Sequence, residues 1–91
     1  MNPLPVKFRI IQAIYQNKQL SNIEILGILK KEYPFDRSIR ANTLEQNLLS
    51  LKVVGIIEQK SATVDLDDEL IIYYRITDYG VSRMKYIEAS S

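Results

Sequence analysis

The chain of 91 residues contains neither cysteine nor histidine. Without cysteine there is no disulfide framework and no thiolate metal site. Without histidine the commonest general base and the commonest transition-metal ligand are both missing. Glycine is scarce: Gly27, Gly55 and Gly80 stand too far apart to form a phosphate-cradling loop. Serines are present, but no Gly-x-Ser-x-Gly elbow surrounds any of them. Asp65, Asp67, Asp68 and Glu69 cluster, yet their spacing fails the EF-hand pattern and lacks its glycine, so the cluster reads as a solvated acidic loop tip. Apolar runs fall far short of the roughly 20 residues a membrane span needs. The start, Met-Asn-Pro-Leu-Pro, lacks the basic and apolar segments of a signal peptide. These absences lead to an expectation of a cytoplasmic, non-enzymatic protein with no cofactor, no metal, no membrane contact and no small-molecule ligand.

What is present suits one globular domain over residues 1–91, with an adequate core. The net charge of +1 hides an asymmetry. Residues 1–60 carry nine Lys/Arg against five Asp/Glu, a balance of +4; residues 61–91 carry three against six, a balance of −3. The first part suits a polyanion, and the second does not.

Helical periodicity marks the first sixty residues. From Val6 to about Lys18, Ile10 and Ile14 share one line and Phe8, Ile11 and Tyr15 the next, forming a broad apolar stripe. Lys7, Arg9, Gln12 and Gln16 lie opposite, as a solvated face or as contacts to a phosphate or partner. A second helix spans about 22–33. Ser21 and Glu24 match a capping box, Leu20 and Ile25 a hydrophobic staple, and Gly27 offers room for a neighbouring helix. Pro34 stops it.

A third helix runs within about 39–54. Leu44, Leu48 and Leu51 recur at i, i+4 and i+7, which puts them on one face. Thr43, Gln46, Asn47 and Ser50 form a polar row on the other. Asn42, with Glu45 three residues on, is a candidate cap, as are Asp36 and Ser38 for an earlier start. Gly55 suits a left-handed stop. Ile56–Ser61 reads as a strand, Ala62–Glu69 as a polar connection, and Leu70–Ile76 as a second strand rich in β-formers. Thr77 is placed to cap a last helix over about 78–89, with Asp78 in its first turn. Met84 and Ile87 share one line of that helix, and Tyr79, Arg83 and Tyr86 an adjacent one.

This order resembles the winged helix-turn-helix family, in particular MarR-like and PadR-like regulators. Thr43, Leu44, Leu48, Leu51, Gly55, Ile56 and Ile57 match the recognition helix and the entry to the wing. Leu20, Ser21 and Glu24 match the start of the preceding helix. Tyr74-Arg75-Ile76-Thr77-Asp78-Tyr79-Gly80 is similar to the way such regulators leave the wing. The resemblance covers about residues 8–88. It implies an α+β fold of three helices, a two-stranded wing at about 56–76 and a C-terminal helix. It also implies a DNA-binding transcriptional regulator reduced to its DNA-binding core. The 42–54 helix would enter the major groove of double-stranded DNA, in a homodimer for which the 78–89 helix is a candidate joining element.

The DNA-binding residues implied are Arg37, Arg40, Asn42, Thr43, Gln46, Asn47, Ser50, Lys52 and Lys60. Gln46 and Asn47 suit adenine edges, while Arg37 and Arg40 suit phosphates or guanine. Equally, both arginines could pair with Asp36 or Glu45 at the surface. The acidic wing tip, and a helix whose Glu45 and Lys52 cancel, favour an alternative: a winged-helix protein-interaction module that does not bind DNA.

Overall fold

The computed structural model describes residues 5–90, with side chains as far as Tyr86. Four helices and three strands follow one another: α1 (Val6–Asn17), β1 (Gln19–Ser21), α2 (Asn22–Glu32), α3 (Ala41–Val53), β2 (Ile57–Val64), β3 (Leu70–Ile76) and α4 (Asp78–Ser90). The strands form one antiparallel sheet in the order β1-β3-β2. This is the α+β arrangement expected of a winged helix, with one strand added.

The added strand, β1, is too short for alternation to reveal it. Its three residues pair with Tyr73, Tyr74 and Arg75 of β3. Asn22 extends the ladder by one rung with its side chain. Its amide donates to the Leu70 carbonyl at 3.2 Å, and its Oδ1 accepts from the Ile72 amide at 3.0 Å. Ser21 then caps α2 with a complete capping box: Ser21 Oγ accepts from the Glu24 amide at 3.1 Å and Glu24 Oε1 accepts from the Ser21 amide at 3.0 Å. Ser21 is itself buried, so both of its polar groups need these bonds.

The core forms where the helical stripes meet the sheet. Ile10 and Ile14 of α1, Ile25 and Leu29 of α2, and Leu44, Leu48 and Leu51 of α3 surround Leu20, Ile57 and Tyr74, and Met84 of α4 closes one end. One stripe departs from expectation. Phe8 is exposed, and Ala13 takes a core place on the line of Ile10. Tyr79 and Tyr86 are also exposed, with the Arg83 guanidinium 5.5 Å from the Tyr86 ring centre, so α4 buries Met84 and Gly80 instead of its tyrosines. The expected place of Ile87 lies outside the described side chains. Gly27 has no atom within 4 Å of where a Cβ would stand, so it receives no neighbouring helix.

The start of α3 differs from expectation as well. The helix begins at Ala41, behind Arg40 as its cap residue, and no side chain caps it. Asn42 lies inside the first turn, two positions past the cap. Asp36 is spent within the preceding loop, where its carboxylate accepts from the Ser38 amide at 2.9 Å and from the Ser38 hydroxyl at 2.6 Å. Those two bonds hold the Asp36 carboxyl below the usual carboxylate range. Ile39 belongs to the loop too, and it is buried, pinning the turn to the core.

The far end of α3 is fastened to α4. Gly55 has φ +83°, the left-handed region that favours glycine. Thr77 Oγ1 lies 2.5 Å from the Gly55 carbonyl and 3.0 Å from that of Ile56, and it accepts from the Gly80 amide at 3.0 Å. The Thr77 amide also donates to the Ile56 carbonyl at 3.0 Å. One side chain thus caps α4 and ties it to the exit of α3. Gly80 is required by close approach: a Cβ there would run into the Ile56 carbonyl oxygen.

Candidate nucleic-acid interface

With Leu44, Leu48 and Leu51 turned inward, the rest of α3 divides into three strips set by the helical repeat of 3.6 residues. Asn42, Gln46, Leu49 and Val53, at i, i+4, i+7 and i+11, form the outermost strip, and all four are exposed. Thr43, Asn47 and Ser50 form a second strip, half-buried, on the side facing α1. Glu45 lies on the third side.

The expected polar row is therefore split. Thr43 and Asn47 line a shallow depression together with Ser38, Arg40 and Val6 at the start of α1. Ser50 accepts a hydrogen bond from Lys7 Nζ at 2.9 Å. Only Gln46 of that row stands at the outermost position. It is joined there by Asn42 and by two aliphatic side chains, Leu49 and Val53. Helical phasing against the three core leucines is the signal that finds this pair.

The third side of α3 faces the wing. Glu45 and Glu69 border one cleft with Asn22, Ile23, Leu26, Ala41 and Leu44. Glu45 also lies near Tyr74 of β3. Burial first, and the Glu45 charge second, push the Tyr74 phenol above its ordinary pKa.

The cations are unevenly engaged. Arg37 and Arg40 are exposed before α3, and among the described residues neither pairs with Asp36 or Glu45. Lys52 is exposed in the last turn of α3. Lys60 is on β2 where the pairing shifts register: Gln59 faces Tyr74 and Ser61 faces Tyr73, so Lys60 is the extra residue of a bulge. Arg9 is fully engaged. Its Nε and Nη2 donate to Glu32 at 2.6 and 2.8 Å, bracing α1 against α2. This fork lowers the Glu32 carboxyl below its ordinary range and raises the Arg9 guanidinium. Arg75 pairs with Glu58 across the sheet.

The wing extends beyond the expected strand end. Ser61–Val64 pair with Leu70–Tyr73, and the connection shrinks to 65–69. Asp65 organises that tip, its Oδ1 accepting from the Asp67 amide at 2.8 Å and the Glu69 amide at 2.9 Å. Leu66 projects from it fully into solvent.

Ser82 and Lys85 stand three residues apart on α4, both on its open surface. Among the described residues no acidic cluster is placed to hold a metal ion, and no helix is long and apolar enough to cross a membrane.

The chain matches no model of a known protein family and no curated protein. Solved structures do match. A PadR-like transcriptional regulator of Bacillus cereus superposes with a TM-score of 0.71 at 21% identity, over 93% of this chain and 79% of that one. A protein of Thermoplasma acidophilum described as a transcriptional regulator gives 0.73 at 13% identity, over 93% and 78%. Bacillus subtilis PadR, in complex with operator DNA, gives 0.71 at 21% identity; the match takes in 88% of this chain and 44% of that one. The chain thus has the winged-helix fold of PadR-like regulators.

Proposed function

We propose that this chain is a sequence-specific, double-stranded DNA-binding transcriptional regulator that works as a homodimer and sets α3 in the major groove. The observation that carries this reading is the outer strip of α3. On the helix that a winged fold offers to DNA, Asn42 and Gln46 stand exposed in the first two turns, where recognition helices contact base edges. An exposed amide donates and accepts in the pattern of adenine's major-groove edge. The operator DNA bound by Bacillus subtilis PadR supports the same reading for this fold.

Arg37 and Arg40 then serve the backbone beside the start of α3. Thr43, Asn47 and Ser50 contribute hydrogen bonds from the α1 side, and Lys52 and Lys60 contribute charge at the far end. Two copies would place their α3 helices about one helical turn of DNA apart, with α4 and its exposed tyrosines as the joining element.

A second reading rests on specific observations. Leu49, Val53 and Val54 are exposed together at the end of α3, and the wing side is acidic. Both features suit a protein-interaction module. Binding to a random pool of short duplexes at two salt concentrations separates the readings. A two-fold-related motif, with affinity falling as salt rises, is the expected outcome. Absence of retention at low salt would assign α3 to a protein partner.

A further inference from the structure

The outer strip of α3 changes chemistry along its length. Asn42 and Gln46 are amides; Leu49 and Val53 beyond them are aliphatic and remain 57% and 76% exposed. No other part of the described fold covers them, and α3 is anchored by other side chains, Leu44, Leu48 and Leu51. Leu49 stands about 4.5 Å along the axis from Gln46, and Val53 about 6 Å further, at a rise of about 1.5 Å per residue. Those intervals correspond to roughly one and two base-pair steps of about 3.4 Å.

The major-groove edge offers hydrogen-bonding groups at every base pair and one apolar group, the C5 methyl of thymine. An aliphatic side chain pressed against the cytosine amine or the guanine carbonyl would strip water from it and return no hydrogen bond. Against thymine it gains apolar contact. Resting on the DNA-binding reading above, we infer that Leu49, with Val53 behind it, selects thymine by its C5 methyl, one or two steps from an adenine read by Gln46. The amide half of the strip reads by hydrogen bonds and the aliphatic half by shape, so the bound half-site is rich in A·T pairs at this end of the helix.

Deoxyuridine tests this directly, because it removes the methyl and keeps every hydrogen-bonding group of thymine. The duplex selected from the random pool is remade with deoxyuridine at each thymine in turn. The wild-type chain is expected to lose about threefold to fourfold in affinity for each contacted methyl, the factor that goes with burying one carbon group. Leu49→Ala, at an exposed position and checked for its helical circular dichroism, is expected to lose that difference at the thymine that faces Leu49. Arg40→Ala is expected to weaken the thymine and uracil duplexes alike and preserve their ratio.

Sequence-selective binding by the wild type with no thymine preference at any position would overturn this inference and leave the regulator reading standing. A thymine preference that survives intact in Leu49→Ala would overturn it as well. No retention of any duplex would remove both, leaving the Leu49–Val53 strip to a protein partner.

Discussion

Along the side of α3 that faces α1, Lys7 reaches Ser50, and Thr43 and Asn47 share a depression with Arg40. Along the side that faces the wing, Glu45 and Glu69 border one cleft. The same thirteen-residue helix therefore presents a polar, cationic flank and an acidic one, with the outer strip between them. Net charge conceals this, because the two flanks nearly cancel. A duplex approaching such a helix gains on the α1 side and at the α2–α3 turn and loses on the wing side. The contrast teaches that the wing of this chain is a poor phosphate contact at its tip. In the proposed complex the backbone grip falls to Arg37, Arg40, Lys7 and Lys52, with Lys60 on the strand below.

The largest effect comes from breaking the scaffold that sets the two flanks apart. Gly80→Ala would drive a methyl into the Ile56 carbonyl oxygen at the junction where Thr77 ties α4 to the exit of α3. The residue that must yield is backbone, so relief requires α4 to shift. The expected cost is about 1–3 kcal/mol, which for a domain of this size lowers the melting temperature by roughly 10 °C. Thermal unfolding followed by circular dichroism measures it; an unchanged melting temperature would mean that the junction is soft and the relation of wing to α3 is not fixed.

Much of that scaffold is legible in the sequence, and the failures have identifiable causes. Leucine and isoleucine periodicity finds α1, α2 and α3, the Thr77 cap with the Met84 line finds α4, and the β-rich run before Thr77 finds β3. The capping box at Ser21 and the caps at Thr77 and Gly55 also follow from residue type and spacing. β1 does not, since three residues carry no period and its partner lies more than fifty positions away. Asn42 fails as a cap because buried Ile39 fixes where the loop ends, a tertiary effect with no local signature. Within the candidate interface, residue type correctly marks α3 as amphipathic. The division of its polar row between the α1 seam and the outer strip depends on which elements pack beside it, and α1 supplies one border from forty residues away.

The next effect sharpens the contrast on its cationic side. Arg40→Ala removes an exposed guanidinium at the start of α3, one without an ion pair among the described residues. If it grips phosphate, affinity should fall for all duplexes alike, and the slope of log affinity against log salt should drop by roughly one. Titrations at several salt concentrations give both quantities. An unchanged slope would move the backbone grip to Arg37 or Lys7.

A smaller effect is expected on the acidic side. Glu69→Lys reverses one charge near Glu45 without touching the Asp65 carboxylate that shapes the tip, because Glu69 contributes its backbone amide there. Duplex affinity should rise. A unit charge about 10 Å from a phosphate is worth a few tenths of a kcal/mol in water before screening, so the gain is about twofold to fourfold for the two-unit change. Were affinity indifferent to this charge, the wing side would lie away from the duplex and the two flanks would not compete.

The smallest effect separates the two cations of α1. Lys7 points across to α3, whereas Arg9 is held by Glu32 of α2 through two hydrogen bonds. Arg9 therefore braces α1 against α2, and its loss should register in stability while leaving duplex binding alone. The sign with pH follows from Glu32. Its folded-state pKa lies below its ordinary value, chiefly because the Arg9 guanidinium donates to it. The stabilisation is thus fully present above the ordinary carboxylate range and is lost as pH falls through and below it. Because the Glu32 side chain is 39% exposed, water screens the pair, and the contribution is at most about 1 kcal/mol. Glu32→Gln should remove that part of the acid dependence of denaturant unfolding and leave the salt slope for DNA as it was. A change in that slope would bring Arg9 into the interface and extend the cationic flank along the whole first half of α1.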